Sequence, residues 1–64
     1  MSVQLESRHF FLARDTVQSA AGVMGEVLEA MALYARIRWE DGREEEVDQL
    51  DPWITVVERA SRES

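Results

Sequence analysis

The sequence contains no cysteine, no lysine, a single proline and a single histidine, His9. Without cysteine the chain has neither disulfides nor thiolate metal sites, which stabilise many small domains. A chain of 64 residues must then be stabilised by apolar packing or by assembly with other copies. One histidine cannot supply a catalytic triad or a multi-histidine metal site, and no serine has a base nearby in the sequence. We therefore expect no catalytic residues, no metal and no cofactor.

Long hydrophobic runs are also missing, and the start of the chain lacks the apolar region of a signal peptide. We expect a cytoplasmic protein without a membrane partner. All seven cationic side chains are arginine, a choice typical of a GC-rich bacterial genome, and the net charge is −6. Because an acidic surface repels phosphate, this charge weighs against binding of nucleic acid.

A hairpin is predicted from the stretch "YARIRWEDGREEEV", residues 34–47. Apolar and charged side chains alternate on both sides of "EDG", as in two half-buried strands. A two-residue loop would mix apolar and charged residues on each face, whereas a three-residue loop, Glu40 to Gly42, keeps the faces separate. Gly42 would then adopt a positive φ and form a bulge. The expected cross-strand pairs are Ala35 with Val47, Arg36 with Glu46, Ile37 with Glu45, and Arg38 with Glu44.

Residues 15–33 allow two interpretations. Apolar residues recur at helical spacing, and Asp15 or Thr16 could cap a helix at its start. Against a helix, Gly22 and Gly25 each cost about 1 kcal/mol relative to alanine within a helix. As strands, the same residues have a turn at Gly22 and a short alternating segment that follows it.

The order of "RDTV", "GVMGEV", "ARIRWEDG", "EEEVDQL" and "ITVV" along the chain resembles small SH3-like barrels of the KOW and Tudor-like kind. Those barrels commonly open with Gly-Asp-x-Val and close with a short apolar strand. Two departures are visible: Arg14 stands where the opening glycine is usual, and about ten additional residues precede the barrel. The additional segment is apolar at its end, so it is expected to form a further strand.

The resemblance implies an all-β fold, a small SH3-like barrel of about five strands with an extra N-terminal strand. A single domain, 1–64, would comprise an N-terminal strand extension (1–13), the barrel core (14–59) and a frayed tail (60–64). The alternative is an α+β fold, in which a helix at 16–31 packs on a three- or four-stranded antiparallel sheet.

Aromatic and acidic residues in the second half of the chain suggest a binding site. Tudor-like barrels hold methylated lysine or arginine between aromatic rings and carboxylates, by cation–π attraction. The resemblance implies such a site at Tyr34, Asp48, Asp51 and Trp53. The competing interpretation is that Trp53 serves packing or an interface, because two aromatic rings do not make a cage.

We predict a non-catalytic acidic interaction module that self-associates and binds a basic protein or peptide. Candidate residues for the contact between copies are Phe10, Phe11 and Trp53. The alternative is an oligomeric small-ligand binder or enzyme with its site at subunit interfaces, as in plasmid-type dihydrofolate reductases. Those enzymes carry Val-Gln-Ile-Tyr-Pro, whereas this chain has "VDQLDP", with an inserted Asp48 and no tyrosine. The likeness is therefore one of fold at most.

Overall fold

A computed structural model describes residues 11–60, which form one five-stranded antiparallel sheet without a helix. The strands are β1 (Thr16–Ser19), β2 (Met24–Ala30), β3 (Tyr34–Trp39), β4 (Glu44–Asp48) and β5 (Ile54–Glu58). Their order across the sheet is β4-β3-β2-β1-β5, so the last strand returns to pair with the first. The all-β prediction is confirmed.

The alternative helix at 16–31 is wrong, because two strands and a turn occupy these residues. Gly22 adopts a φ of +91° near the end of the turn that joins β1 to β2. Gly25 lies within β2 under the ring of Trp39, where a Cβ atom would come within 2.7 Å of the ring. Both glycines are therefore required by the strands and the turn. The packing of the sheet outweighs the helical propensity of residues 16–31.

The predicted hairpin between β3 and β4 is confirmed in its register. All four expected pairs occur, and Gly42 has a φ of +95°. The Trp39 N–H donates to the Arg43 carbonyl, and the Gly42 N–H donates to the Trp39 carbonyl, both at 2.8 Å. The β1–β2 turn repeats this pattern around Ser19 and Gly22, with distances of 2.9 Å.

The core is formed by the inward-facing residues of all five strands together with Phe11. Trp39 is buried there, as its alternation with Ile37 predicts, and its Nε1 donates to Glu45 at 2.9 Å. The buried apolar residues are Phe11, Val17, Val27, Ala35, Ile37, Trp39, Val47 and Ile54.

The N-terminal approach to the sheet differs from the predicted extra strand over residues 11–13, which belong to no strand. Most of that prediction, residues 1–10, lies outside the described residues. Gln49 takes the place of a strand partner: its amide accepts from the Phe11 N–H and donates to the Phe11 carbonyl. One side chain thus satisfies both backbone groups and holds Phe11 in the core.

The entry to β1 is a corner that depends on a buried carboxylate. Arg14 has a φ of +76°, and Asp15 is 0% exposed. Asp15 Oδ2 accepts from the Leu12 N–H at 3.0 Å and from Arg59 Nη1 at 2.7 Å, while Oδ1 accepts from the Ala60 N–H at 3.1 Å. Asp15 therefore connects Leu12, before β1, to the residues that follow β5. Its hydrogen bond also fixes the backbone of Ala60, the first residue of the predicted frayed tail.

Candidate functional site

The β4 strand forms one edge of the sheet and carries carboxylates along most of its length. Four of its side chains are exposed acids, which we call the acidic edge: Glu44, Glu45, Glu46 and Asp48. Arg38 lies 3.8 Å from Glu44, and Glu45 accepts from Trp39. The other two have no ion pair within residues 11–60, so the edge keeps a net negative charge.

Arg36 does not neutralise the acidic edge, although it lies opposite Glu46 as predicted. Its guanidinium instead makes a 2.9 Å ion pair with Glu29 on the neighbouring strand β2. The sequence placed the residues correctly, but a long side chain has two strands within reach and here it reaches β2. More charge is left on β4 than the cross-strand pairing implies.

The turn before β4 contains an ion pair of its own. Asp41 accepts from the backbone N–H of Arg43 and from its guanidinium, each at 2.9 Å. These two hydrogen bonds, the backbone one first, lower the pKa of Asp41 below its usual range. Asp41 is therefore paired locally, and it adds little to the charge available to a partner.

An apolar pocket lies at the end of the acidic edge. It has a volume of about 390 Å³, and Leu33 and Leu50 on its walls are 77% and 57% exposed. The Gln49 N–H donates to the Leu33 carbonyl at 3.1 Å, which fixes the two sides relative to each other. We call it the Leu33–Leu50 pocket; its lining residues are Ala32, Leu33, Asp48, Gln49 and Leu50.

The four residues of the predicted binding site fall into two pairs. Tyr34 stands directly opposite Asp48 where β3 and β4 meet, and its ring is partly exposed. Asp51 and Trp53 lie in the connection to β5, where Asp51 Oδ1 accepts from the Trp53 N–H at 2.9 Å. The Asp51 N–H donates to the Asp48 carbonyl at 3.0 Å, so one backbone hydrogen bond links the two pairs across the turn. Tyr34 and Asp48 lie on one surface, beside the Leu33–Leu50 pocket.

The three residues predicted at a contact between copies differ in their exposure to solvent. Trp53 is 71% exposed at the start of β5, whereas Phe11 is buried in the core and Phe10 lies outside the described residues. A groove of about 220 Å³ runs along β5 and is lined by residues 55–59. Of these three residues, Trp53 is therefore the one that the structure shows as exposed, directly before β5.

Sequence reasoning missed Gln49 and Asp15 as organising residues. Both follow the alternation of their strands, since Gln49 is two residues after Val47 and Asp15 is two before Val17, on the inward face. A polar side chain at a core position needs hydrogen-bond partners, so this spacing was the available signal. It does not reveal the partners, which come from distant parts of the chain.

Comparison with known proteins gives no assignment: no family model, no curated protein and no solved structure matches the chain. Within residues 11–60, no group of three or more His, Asp or Glu side chains is arranged to hold a metal ion. The same residues contain no helix long and apolar enough to cross a membrane.

Proposed function

We propose that the chain is a small SH3-like barrel that acts as a non-catalytic interaction module in the cytoplasm, self-associates, and binds a basic protein or peptide. The return of β5 to β1 supports the barrel, because it brings the closing strand against the opening one. The positive φ of Arg14 supports the resemblance as well, since glycine is usual at this position in such barrels.

The observation that carries the binding function is the adjacency of the acidic edge and the Leu33–Leu50 pocket. Asp48 belongs to both, so a single ligand can meet carboxylates and apolar surface together. Carboxylates attract a basic partner and speed its encounter, while burial of an apolar side chain supplies affinity. The partner that fits is a basic peptide with one apolar anchor residue.

Tyr34 adds a further element of recognition for a cation. Its ring lies across from Asp48, so a guanidinium could stack on the ring while the carboxylate accepts from it. Arginine is favoured over lysine by this arrangement, because only its planar group stacks and donates in the same plane.

The test uses a fluorescent peptide rich in arginine, with a single leucine, titrated with the full chain. We expect binding that weakens as salt rises, since the attraction is between exposed charges. A triple variant, Glu44→Gln, Glu46→Gln and Asp48→Asn, should lose most of the affinity with little change in side-chain size. Leu33→Ser should weaken binding of the leucine peptide, but not of the same peptide with alanine in place of leucine.

A control variant is available on the opposite edge. Glu58→Gln on β5 also removes an exposed carboxylate, and it should leave peptide binding unchanged. Equal affinity of the parent and the triple variant would contradict the proposal. Equal affinity for an acidic peptide of the same length would contradict it too.

A further inference from the structure

Among the described residues, the outer side of β5 is a second open edge of the sheet, and it differs in composition from the acidic edge. Within residues 11–60, β5 pairs only with β1. Its residues are Ile-Thr-Val-Val-Glu, with the one charge at the end, and the exposed Trp53 precedes it. An uncharged edge strand with open backbone groups is a template for another strand.

The direction of the backbone groups follows from the β1–β2 turn. The Ser19 N–H donates to the Val23 carbonyl at 2.9 Å, so Ser19 directs its backbone towards β2. Ser19 pairs with Ile54, and hydrogen-bonded and non-hydrogen-bonded pairs alternate in antiparallel sheets. Ile54 and Val56 therefore direct their backbone groups away from β1, and Thr55 directs its groups towards it.

We propose that a second copy of the chain pairs antiparallel with β5, with Thr55 on the twofold axis. This proposal deepens the self-association in the proposed function by naming the strand and its register. The Val56 N–H of each copy would donate to the Ile54 carbonyl of the other. The Ile54 N–H, which donates to the Asp51 carbonyl at 3.5 Å in the single chain, would turn to the Val56 carbonyl of the second copy. Thr55 would face its own counterpart in a non-hydrogen-bonded pair, as its inward backbone groups require.

The side chains favour this register over its neighbours. With Thr55 on the axis, Trp53 of one copy lies beside Val57 of the other, and these are 71% and 47% exposed in the single chain. With Val56 on the axis, Trp53 would instead face Arg59, whose guanidinium already binds Asp15. Only the Thr55 register covers both exposed apolar side chains, which is the self-complementarity that a twofold contact needs.

Charge explains why a second copy would use β5 and not β4. Each chain carries a net charge of −6, so two copies repel each other wherever their acidic surfaces meet. Two acidic edges would place carboxylates against carboxylates, whereas in the Thr55 register Glu58 faces Pro52 of the second copy. The β5 edge is thus the side from which an identical acidic chain can approach.

Cysteine cross-linking tests both the strand and the register, because the chain has no cysteine of its own. We expect Thr55→Cys to form a disulfide-linked dimer under mild oxidation, since a residue on the axis lies next to its own copy. Val57→Cys is the control on the same exposed face. It should cross-link only at the rate of random collision, because Trp53 is its neighbour. Equal cross-linking of the two variants would overturn the register.

A sedimentation experiment covers the case in which a cysteine variant does not fold. Val57→Glu should lose the dimer, whereas Leu33→Glu adds the same charge at the other edge and should keep it. A monomeric parent chain at moderate salt, or a dimer in both variants, would overturn the proposal. Peptide binding by the Val57→Glu monomer is measured separately, so a failure here is distinguishable from a failure of the acidic edge to bind its partner.

Discussion

The two edge strands present the same backbone problem and carry different side chains. β4 places four exposed carboxylates along its length, and β5 has one, at its end. Charged side chains prevent another strand from pairing with an edge, while an uncharged edge invites it. This difference underlies the division of tasks that we propose, in which β4 attracts an unlike, basic partner and β5 accepts a second copy.

Each edge is also fastened by one buried polar side chain. Asp15 holds the residues that follow β5, and Gln49, directly after β4, holds Phe11 and the Met31 carbonyl. Asp15 binds the backbone of Leu12 and Gln49 binds the backbone of Phe11. The segment before β1 is therefore hydrogen-bonded to residues at the ends of both edge strands. A sheet this small has few core residues, and these two polar groups supplement them.

The largest effect is expected at the anchor of β5. Asp15→Ala should lower the free energy of unfolding by about 3 kcal/mol, because it leaves the part-buried N–H groups of Leu12 and Ala60 unsatisfied and breaks the pair with Arg59. Chemical denaturation measures this loss. Asp51→Ala is the control, since its carboxylate accepts from an exposed turn, and a loss of similar size there would contradict the anchoring role.

The anchor of β4 should come next. Gln49→Ala removes three hydrogen bonds to backbone groups and should cost about 2 kcal/mol of the free energy of unfolding. Gln18→Ala removes one exposed hydrogen bond, to the Gly22 carbonyl, and should change stability little. If the two substitutions changed the free energy of unfolding equally little, Gln49 would not anchor the end of β4.

A smaller effect is expected from the turn that leads into β4. Apart from its two chain neighbours, no described residue has an atom within 4 Å of a Cβ atom built on Gly42, so the cost of Gly42→Val comes from its φ of +95°. We expect a loss of about 1–2 kcal/mol in unfolding free energy. Asp41→Ala should cost less, because it removes only an exposed pair. Equal and small losses would mean that the turn does not constrain the hairpin.

The smallest effect concerns acid stability. The pKa of Asp41 is lowered in the folded state by the Arg43 hydrogen bonds, so its contribution is complete above the pKa of the unfolded chain. That contribution disappears as the pH falls through the lower, folded value. Asp41→Asn should therefore lower the stability slightly near neutral pH, where the contribution is complete, and the difference from the parent should vanish in acid below the folded pKa. A difference between variant and parent that appears only in acid would contradict this explanation.

The sequence predicted those parts of the fold that follow from local alternation. The β3–β4 hairpin is the best example, since opposite charges and apolar residues allowed only one clean register, and Gly42 supplied the turn. Residues 15–33 stayed ambiguous because their helical propensity is high, and only the packing of Trp39 on Gly25 settles them as strands.

The candidate site was predicted in part. Tyr34 and Asp48 share a surface because strand pairing brings them together, and pairing can be read from a sequence. Gln49 and Asp15 could not be assigned roles, since their partners are backbone groups 38 and 45 residues away. The Leu33–Leu50 pocket is formed between the β2–β3 turn and the residues at the end of β4. No local sequence pattern indicates that these two segments lie side by side.

Amide hydrogen exchange as a function of protein concentration tests the contrast between the edges most directly. By the alternation of pairs, the Val56 N–H points outward from β5 and the Glu46 N–H points outward from β4. We predict that exchange at Val56 slows as the concentration rises, while exchange at Glu46 does not change. Concentration-independent exchange at Val56, or slowing at Glu46 instead, would contradict the account.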